Sequence, residues 1–272
     1  MSASRFLIVL LVCASGGGCD SSEVDADQEN SVPLAHEAVL AAPGAGASEI
    51  STEDLQQILK DQSAVVLDTR PFREWSVSHI PGAFNVAPKP GVPMALYTSD
   101  VAEIGRLVQG DKSQALVLYC NGPFCGKSKR VANELLEAEY TNVSRYQLGA
   151  PGWRTLVGVM EIEAGGIQYV FHNDQTAVWI DARDPPAFEE SSIPGARNLP
   201  QSGVLPGKDV GEVFAAKNDG RLPMEDHNTR IIVFGHDSDQ AREVADALAR
   251  EAFHNVTYFS GSYEAAKASI DQ

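Results

Sequence analysis

Cysteine, positive charge and long apolar runs are all scarce in this chain of 272 residues. Four cysteines are too few to staple a protein of this size with disulfides, and their spacing to the histidines does not fit a structural zinc site. The 21 lysines and arginines are outnumbered by 37 aspartates and glutamates, which leaves a net charge of -16. Nucleic acids are bound chiefly by basic patches that displace counterions from phosphates, so the sequence excludes nucleic acid as a partner.

The long apolar run spans residues 6–14 and is too short to cross a membrane as a helix. It follows Arg5 and precedes serine and glycine, a pattern typical of a secretory signal peptide, here residues 1–18. The segment ending at Cys19 resembles the lipobox of bacterial lipoproteins, although Gly16 stands where leucine is usual. We therefore expect an exported, periplasmic protein tethered to a membrane by a lipid on Cys19; cleavage without a lipid is the alternative.

Residues 19–50 are acidic at first and then rich in alanine, proline and glycine. This composition cannot bury enough apolar surface to offset the entropy cost of ordering the chain, so it predicts a flexible linker. The folded part of the chain is expected to begin at residue 51.

Several segments of the remaining chain repeat at an offset of 113 residues. Between residues 65–86 and 178–199, nine of 22 positions are identical, and the Asp-x-Arg and Ile-Pro-Gly-Ala motifs match in register. The same offset aligns residues 131–135 with residues 244–248. Agreement at separate places indicates a tandem duplication.

Each copy alternates short runs of Val, Leu and Tyr with amphipathic segments, the pattern of buried strands and covering helices. This alternation predicts an α/β fold of two domains, each a mostly parallel sheet flanked by helices. Capping and periodicity predict helices that begin near Ser51 and Ser128. The expected domains are residues 51–158 and 174–272, joined by a linker at residues 159–173.

The two copies differ most after one strand. Residues 116–119 align with residues 231–234 at an offset of 115, so the next loop is two residues shorter in the second copy. Ligands of open α/β sheets bind beyond the carboxyl ends of strands, which makes this loop the predicted site. In the first copy it begins with Cys120, whereas Gly235 takes that position in the second.

Cys120 is expected to lie among backbone N–H groups at the positive end of a helix dipole. That position favours the thiolate, and Lys127, Lys129 and Arg130 add positive charge nearby. Glycines at positions 122 and 126 are predicted to supply the positive φ values of a tight loop. The alternative interpretation is that Cys120 and Cys125 are structural, either buried or disulfide-bonded.

In this order and spacing, the motifs of residues 51–272 resemble the rhodanese family. The resemblance rests on residues 67–70 and 78–83, the Cys120 loop, and Gly149 with Trp153 after the last strand of the first copy. It implies that Cys120 accepts sulfane sulfur from a small anionic donor such as thiosulfate. The sulfur is then held as a persulfide and passed to a thiol or cyanide.

The resemblance also implies roles for neighbouring residues. The loop would form the cradle for the anion and the persulfide, and Asp68 and Arg70 would support it as structural charges. His79 matches a mainly structural position, and no metal or organic cofactor is implied. The cradle consists of Asn121, Gly122, Pro123, Phe124, Cys125, Gly126 and Lys127.

Two departures from the family leave the donor and acceptor open: the loop is longer than its commonest version, and it contains Cys125. That cysteine could act as a resolving thiol, closing a disulfide with Cys120 that persists in an oxidising compartment; the alternative is that it merely packs. The fold also resembles dual-specificity phosphatases, but Gly126 stands where their phosphate-gripping arginine is needed. Phosphatase activity is not expected.

The second copy has no cysteine, so we expect it to be inactive and to serve as a structural or partner-binding lobe. His236 and Asp237 in its loop could act as a general-base pair, but solvated loop residues are the simpler interpretation. Two other functions stay open for the whole chain: a non-enzymatic sulfur carrier or interaction module, and a thiol–disulfide redox protein using Cys120 and Cys125.

Overall fold

The structure is a computed structural model that describes residues 46–91, 93 and 97–271. The predicted signal peptide, Cys19 and most of the predicted linker at residues 19–50 lie outside these residues. The expectation that the fold begins at residue 51 is wrong, because Ser48–Glu49 form a strand that pairs with residues 144–145. Among the described residues, every helix is too short or too polar to cross a membrane.

The first domain is built on a sheet of five parallel strands in the order β1-β5-β4-β2-β3. Its strands are β1 (Ser48–Glu49), β2 (Val65–Asp68), β3 (Phe84–Asn85), β4 (Leu116–Tyr119) and β5 (Val143–Tyr146). Its helices are α1 (Thr52–Asp61), α2 (Phe72–Val77), α3 (Asp100–Leu107), α4 (Lys127–Glu137) and α5 (Gly149–Leu156).

The second domain repeats this topology in a second parallel sheet, with the order β6-β10-β9-β7-β8. Its strands are β6 (Met160–Ile162), β7 (Val178–Asp181), β8 (Arg197–Asn198), β9 (Ile231–Gly235) and β10 (Val256–Ser262). Its helices are α6 (Ala164–Asn173), α7 (Pro185–Glu190), α8 (Gly211–Asn218), α9 (Ser238–Arg250) and α10 (Tyr263–Ile270), with a 3-10 turn at Gln201–Gly203. The expected α/β fold of two parallel sheets flanked by helices is confirmed.

Residues 159–173, expected to be a linker, form a strand and a helix instead. Strand β6 pairs in parallel with β10, and α6 packs against α10, so both elements belong to the second domain. Met160 and Ile162 are fully buried, whereas Glu161 between them is not. The strand has only three residues, so its alternation of apolar and polar side chains is too short to be recognised as a strand from the sequence.

Apolar clusters cover both faces of each sheet, as a parallel sheet between helices requires. All four residues of β4 are buried, which explains why its sequence is a continuous apolar run rather than an alternating one. The predicted cap of α1 is present: the Ser51 hydroxyl accepts from the Asp54 N–H at 3.0 Å, and Asp54 accepts from the Ser51 N–H at 3.0 Å.

The Asp-x-Arg motif makes the same buried ion pair in both copies. In the first, the Arg70 guanidinium donates to both oxygens of Asp68 and, at 2.7 Å, to the carbonyl oxygen of Ser78. Arg183 does the same with Asp181 and with the carbonyl of Ser191. The pair therefore fixes the segment after α2 or α7 to the end of β2 or β7. Removing one partner from such a pair typically costs about 3–5 kcal/mol, because the other charge is left buried.

Candidate active site

Cys120 directly follows β4, at the carboxyl edge of the first sheet. β4 lies between β2 and β5, and its last residue, Tyr119, pairs with Asp68 and with Tyr146. Cys120 is only 3% exposed. The strand order therefore places this cysteine at the centre of the sheet edge at which ligands of α/β folds bind.

The N-terminus of α4 faces the loop that begins with Cys120. Gly126 is the N-cap of this helix, and no side chain among the described residues caps it by a hydrogen bond. The first N–H groups of a helix have no partner within the helix and carry the positive end of its dipole. The loop is therefore suited to an anion or a thiolate.

The backbone of the loop is tightly turned. Gly122 has a positive φ of 93°, as predicted, and its carbonyl accepts from the Cys125 N–H at 3.0 Å. The same prediction for Gly126 is wrong, because its φ of -76° lies in the right-handed helical region that starts α4. Gly122 alone therefore supplies the left-handed residue of this turn.

The backbone at Gly149, at the start of α5, packs directly against the backbone of the Cys120 loop. Its neighbour Ala150 donates its N–H to the Cys120 carbonyl at 2.9 Å. A Cβ on Gly149 would lie 2.2 Å from that carbonyl oxygen and 2.5 Å from the Gly122 nitrogen, and its φ is +64°. Only glycine allows this approach, which gives a physical reason for glycine at this position of the sequence pattern.

Cys120 and Cys125 form a disulfide, with their Cα atoms 6.2 Å apart. The loop thus adopts one of the two arrangements that the sequence leaves open. Cys125 is half-buried and Phe124 beside it is fully exposed, in contrast to the buried Cys120. An external thiolate can therefore approach Cys125 more readily than Cys120, and its attack there would make Cys120 the leaving thiolate at the end of α4.

The positive charge around the loop is partly neutralised by residues that the sequence analysis missed. Asp100, at the start of α3, lies 3.2 Å from the Arg130 guanidinium and 3.9 Å from the Lys127 ammonium nitrogen. Asn121 donates its side-chain N–H to Glu74 at 2.6 Å. Asp100 and Glu74 are distant in sequence from the loop, and only the tertiary fold brings them to it.

Asp68 and Arg70 lie beside the end of β4, and their role as structural support of the loop stays a prediction. The Arg70 guanidinium also lies 5.7 Å from the centre of the Tyr119 ring. Burial raises the pKa of the Tyr119 phenol, and the negative charge of Asp68 raises it further. Tyr119 therefore stays protonated, and its oxygen accepts from the Ile80 N–H at 3.1 Å.

The corresponding loop of the second copy is closed by its own side chains. Asp237 caps α9 by accepting from the Gln240 N–H at 2.9 Å, and the Gln240 side-chain oxygen accepts from the His236 N–H at 2.8 Å. Asp237 is thus a helix cap rather than an obvious partner of His236, which is exposed. The His236 and Gln240 N–H groups are therefore already bound to side-chain acceptors of the same segment.

Comparisons with known proteins agree with this geometry. A family model described as Rhodanese-like domain matches residues 51–156 and 170–269, and no curated protein matches the chain. Solved structures that match part of the chain include a variant of EanB with hercynine and an anaerobic ergothioneine biosynthesis enzyme from Chlorobium limicola with trimethyl histidine. Each is 17% identical with a TM-score of 0.37, and the match covers 82% of this chain but only 60% and 61% of theirs.

The two family matches together cover most of the chain, and each contains four of the five strands of one sheet. Rhodanese-like domains in general support sulfur transfer through a cysteine. On these grounds, the chain belongs to the rhodanese-like family, as a tandem of two such domains.

Proposed function

We propose that this protein is a sulfurtransferase that carries sulfane sulfur on Cys120, from thiosulfate or a related small anion to a thiol or cyanide. The observation that most supports this is the position of Cys120, buried at the carboxyl end of β4 and in front of the uncapped N-terminus of α4. Backbone N–H groups there stabilise the thiolate before the reaction and the leaving anion during it.

The reaction begins with the Cys120 thiolate, which attacks the outer sulfur of thiosulfate. The bond between the two thiosulfate sulfurs breaks, and sulfite leaves with the electron pair. An acceptor thiolate or cyanide then attacks the terminal sulfur of the Cys120 persulfide, and the Cys120 thiolate is restored. The first step adds one sulfane sulfur to Cys120 and the second removes it, so the complete cycle consumes no external oxidant or reductant.

The disulfide must be opened before this cycle can start. A dithiol reductant attacks one sulfur of the pair, forms a mixed disulfide and is itself oxidised when the second thiol displaces the protein. The loop then holds two thiols, of which Cys120 is favoured as the thiolate by α4. Reduction therefore converts the structure described here into the proposed active form.

Sulfite release from thiosulfate, measured with and without prior reduction, tests this proposal. We expect sulfite release in the presence of cyanide only after treatment with a dithiol. If the reduced protein also releases none, thiosulfate sulfur transfer is refuted. Release at equal rates in both samples would contradict the requirement for reduction.

A second candidate function is thiol–disulfide exchange, which the disulfide between Cys120 and Cys125 favours. In that case the oxidised protein would accept electrons from a dithiol peptide, and the reduced protein would release no sulfite from thiosulfate. The same two samples therefore separate the candidates when peptide oxidation is measured beside sulfite.

We expect the second domain to stay inactive even when it is given a cysteine. A Cβ at position 235 would lie 2.7 Å from the Gln240 side-chain oxygen, and the His236 and Gln240 N–H groups already have acceptors. Adding Gly235→Cys to a Cys120→Ser variant should therefore restore less than about 1% of the parent rate. Sulfite release by the double variant measures this, and recovery to parent-like rates would contradict the inactivity assigned to this loop.

We further propose that the protein is exported and tethered to a membrane by a lipid on Cys19. The predicted signal peptide and Cys19 both lie outside the described residues. The support is the sequence of residues 1–19 alone. Mass spectrometry of the protein from membrane and soluble fractions should find a lipid-modified Cys19 as the first residue in the membrane fraction. An unmodified N-terminus confined to the soluble fraction would reject the tether.

A further inference from the structure

A compact group of possible metal ligands lies where the two domains meet. The His79 Nε2 atom is 3.6 Å from a carboxylate oxygen of Glu161 and 3.6 Å from one of Glu163. The three ligand atoms all lie within 4.8 Å of one another. Their side chains are 2%, 12% and 38% exposed, respectively. His79 belongs to the first domain, and the two glutamates lie in and directly after β6 of the second.

The backbone holds this group in place. His79 and Glu161 form an isolated antiparallel bridge, with N···O distances of 2.9 Å and 2.8 Å. The His79 ring stacks on the Trp75 ring with their centroids 4.7 Å apart. The positions of two of the three side chains are therefore fixed by main-chain contacts and packing rather than by the side chains alone.

The imidazole of His79 presents one nitrogen to the two carboxylates. Its Nδ1 lies 2.9 Å from the carbonyl oxygen of Trp75, which can only accept, so Nδ1 carries a proton. Nε2 is buried and faces the carboxylate oxygens of Glu161 and Glu163, each 3.6 Å away. Histidines that bind metals commonly donate one ring N–H to a backbone carbonyl, which orients the other nitrogen toward the metal. His79 has this arrangement, with its other nitrogen facing two carboxylates.

We propose that His79, Glu161 and Glu163 form a binding site for a divalent first-row cation and that Zn²⁺ is the ion that fits it. Zinc accepts one imidazole and two carboxylates, with water in the remaining position. Bonds of about 2.1 Å in a tetrahedron place neighbouring ligand atoms about 3.4 Å apart. The two distances of 3.6 Å are close to that value, so small side-chain shifts suffice.

The charges of the cluster favour such an ion. Two partly buried carboxylates face each other and the nitrogen, and a cation between them removes their mutual repulsion. Glu161 also lines a cavity of about 940 Å³, and Glu163 is partly open to solvent, so an ion can reach the site. Once bound, it would join residues of the first domain to β6, the edge strand of the second sheet.

Zinc titration of the full-length, oxidised protein tests the site: the disulfide removes Cys120 and Cys125 as competing ligands, and prior alkylation of the free thiols blocks Cys13 and Cys19. We expect one equivalent of zinc to bind and Glu163→Gln to weaken binding at least about tenfold. Glu163 suits this purpose because it is partly exposed and its side chain makes no hydrogen bond to a described group. Glu189→Gln removes an exposed carboxylate elsewhere and should bind as the parent does.

Stability gives a second readout that is independent of sulfur transfer. At free zinc about a hundredfold above Kd, the ratio of folded to unfolded parent should rise about a hundredfold, with no such rise for His79→Gln or Glu163→Gln. Mg²⁺ at the same concentration should have no effect, because imidazole is a poor ligand for it. Equal zinc binding by the parent, Glu163→Gln and Glu189→Gln, or no binding by the parent, would overturn the proposal.

Discussion

Replacing Cys120 with serine should lower sulfite release from thiosulfate by at least about a thousandfold, to the rate without protein. The serine hydroxyl is neither ionised at neutral pH nor a soft nucleophile, so it cannot take up sulfane sulfur from thiosulfate. The two side chains are similar in size, and the position is already buried, so the fold should stay intact. Rates measured on the reduced parent and variant, with circular dichroism of both, check the prediction.

Because Cys120→Ser also removes the disulfide, the matched control is Cys125→Ser. That variant lacks the same bond but keeps Cys120, and under reducing conditions it should retain most of the parent activity. Substantial thiosulfate turnover by Cys120→Ser would refute Cys120 as the nucleophile. Equal losses in both variants would show that the loop needs the pair for its structure rather than Cys120 for its chemistry.

The second prediction with a large expected effect is that mild oxidation inactivates the protein and that this loss of activity requires Cys125. Mild oxidation of the reduced parent should lower its activity below about a tenth. The oxidant converts the more accessible Cys125 to a sulfenic acid, and the Cys120 thiolate then attacks that sulfur, releases water and closes the disulfide. The Cys125→Ser variant has no such partner and should stay active under the same treatment. Its activity is lost only when Cys120 itself is oxidised.

The time course of activity against a fixed dose of oxidant, followed by addition of a dithiol, measures this difference. The parent should recover fully with the dithiol, because a disulfide is reversible and the higher oxidation states of cysteine are not. Parent and variant losing activity at the same rate would show that Cys125 plays no part in the response to oxidation. Regulation by the loop disulfide would then be refuted.

Local patterns predicted the fold well in this chain. The apolar runs predicted the buried strands, and the capping motif at Ser51 predicted the start of α1, because short segments determine both features. The repeat at 113 residues predicted that the two domains share one topology. The site at the end of β4 followed from the change of offset between the copies, because loop length is visible in a sequence even when contacts are not. The positive φ of Gly122 belongs to the same class of local requirement.

Contacts between distant segments could not be predicted in this way. Packing between helices brings Asp100 to Lys127 and Arg130. Packing between the two domains brings His79 to two glutamates more than 80 positions away. The assignment of residues 159–173 to the second sheet also depends on a partner strand, β10, about 100 residues further on. No periodicity within a short segment carries that information.

The most direct test of sulfur transfer through Cys120 is mass spectrometry of the intact, reduced protein after brief incubation with thiosulfate and removal of excess donor. We expect a gain of the mass of one sulfur atom, located by digestion on the peptide that contains Cys120. The gain should be absent from Cys120→Ser and removed by cyanide. No mass gain on the parent, or the same gain on Cys120→Ser, would contradict sulfur transfer through Cys120.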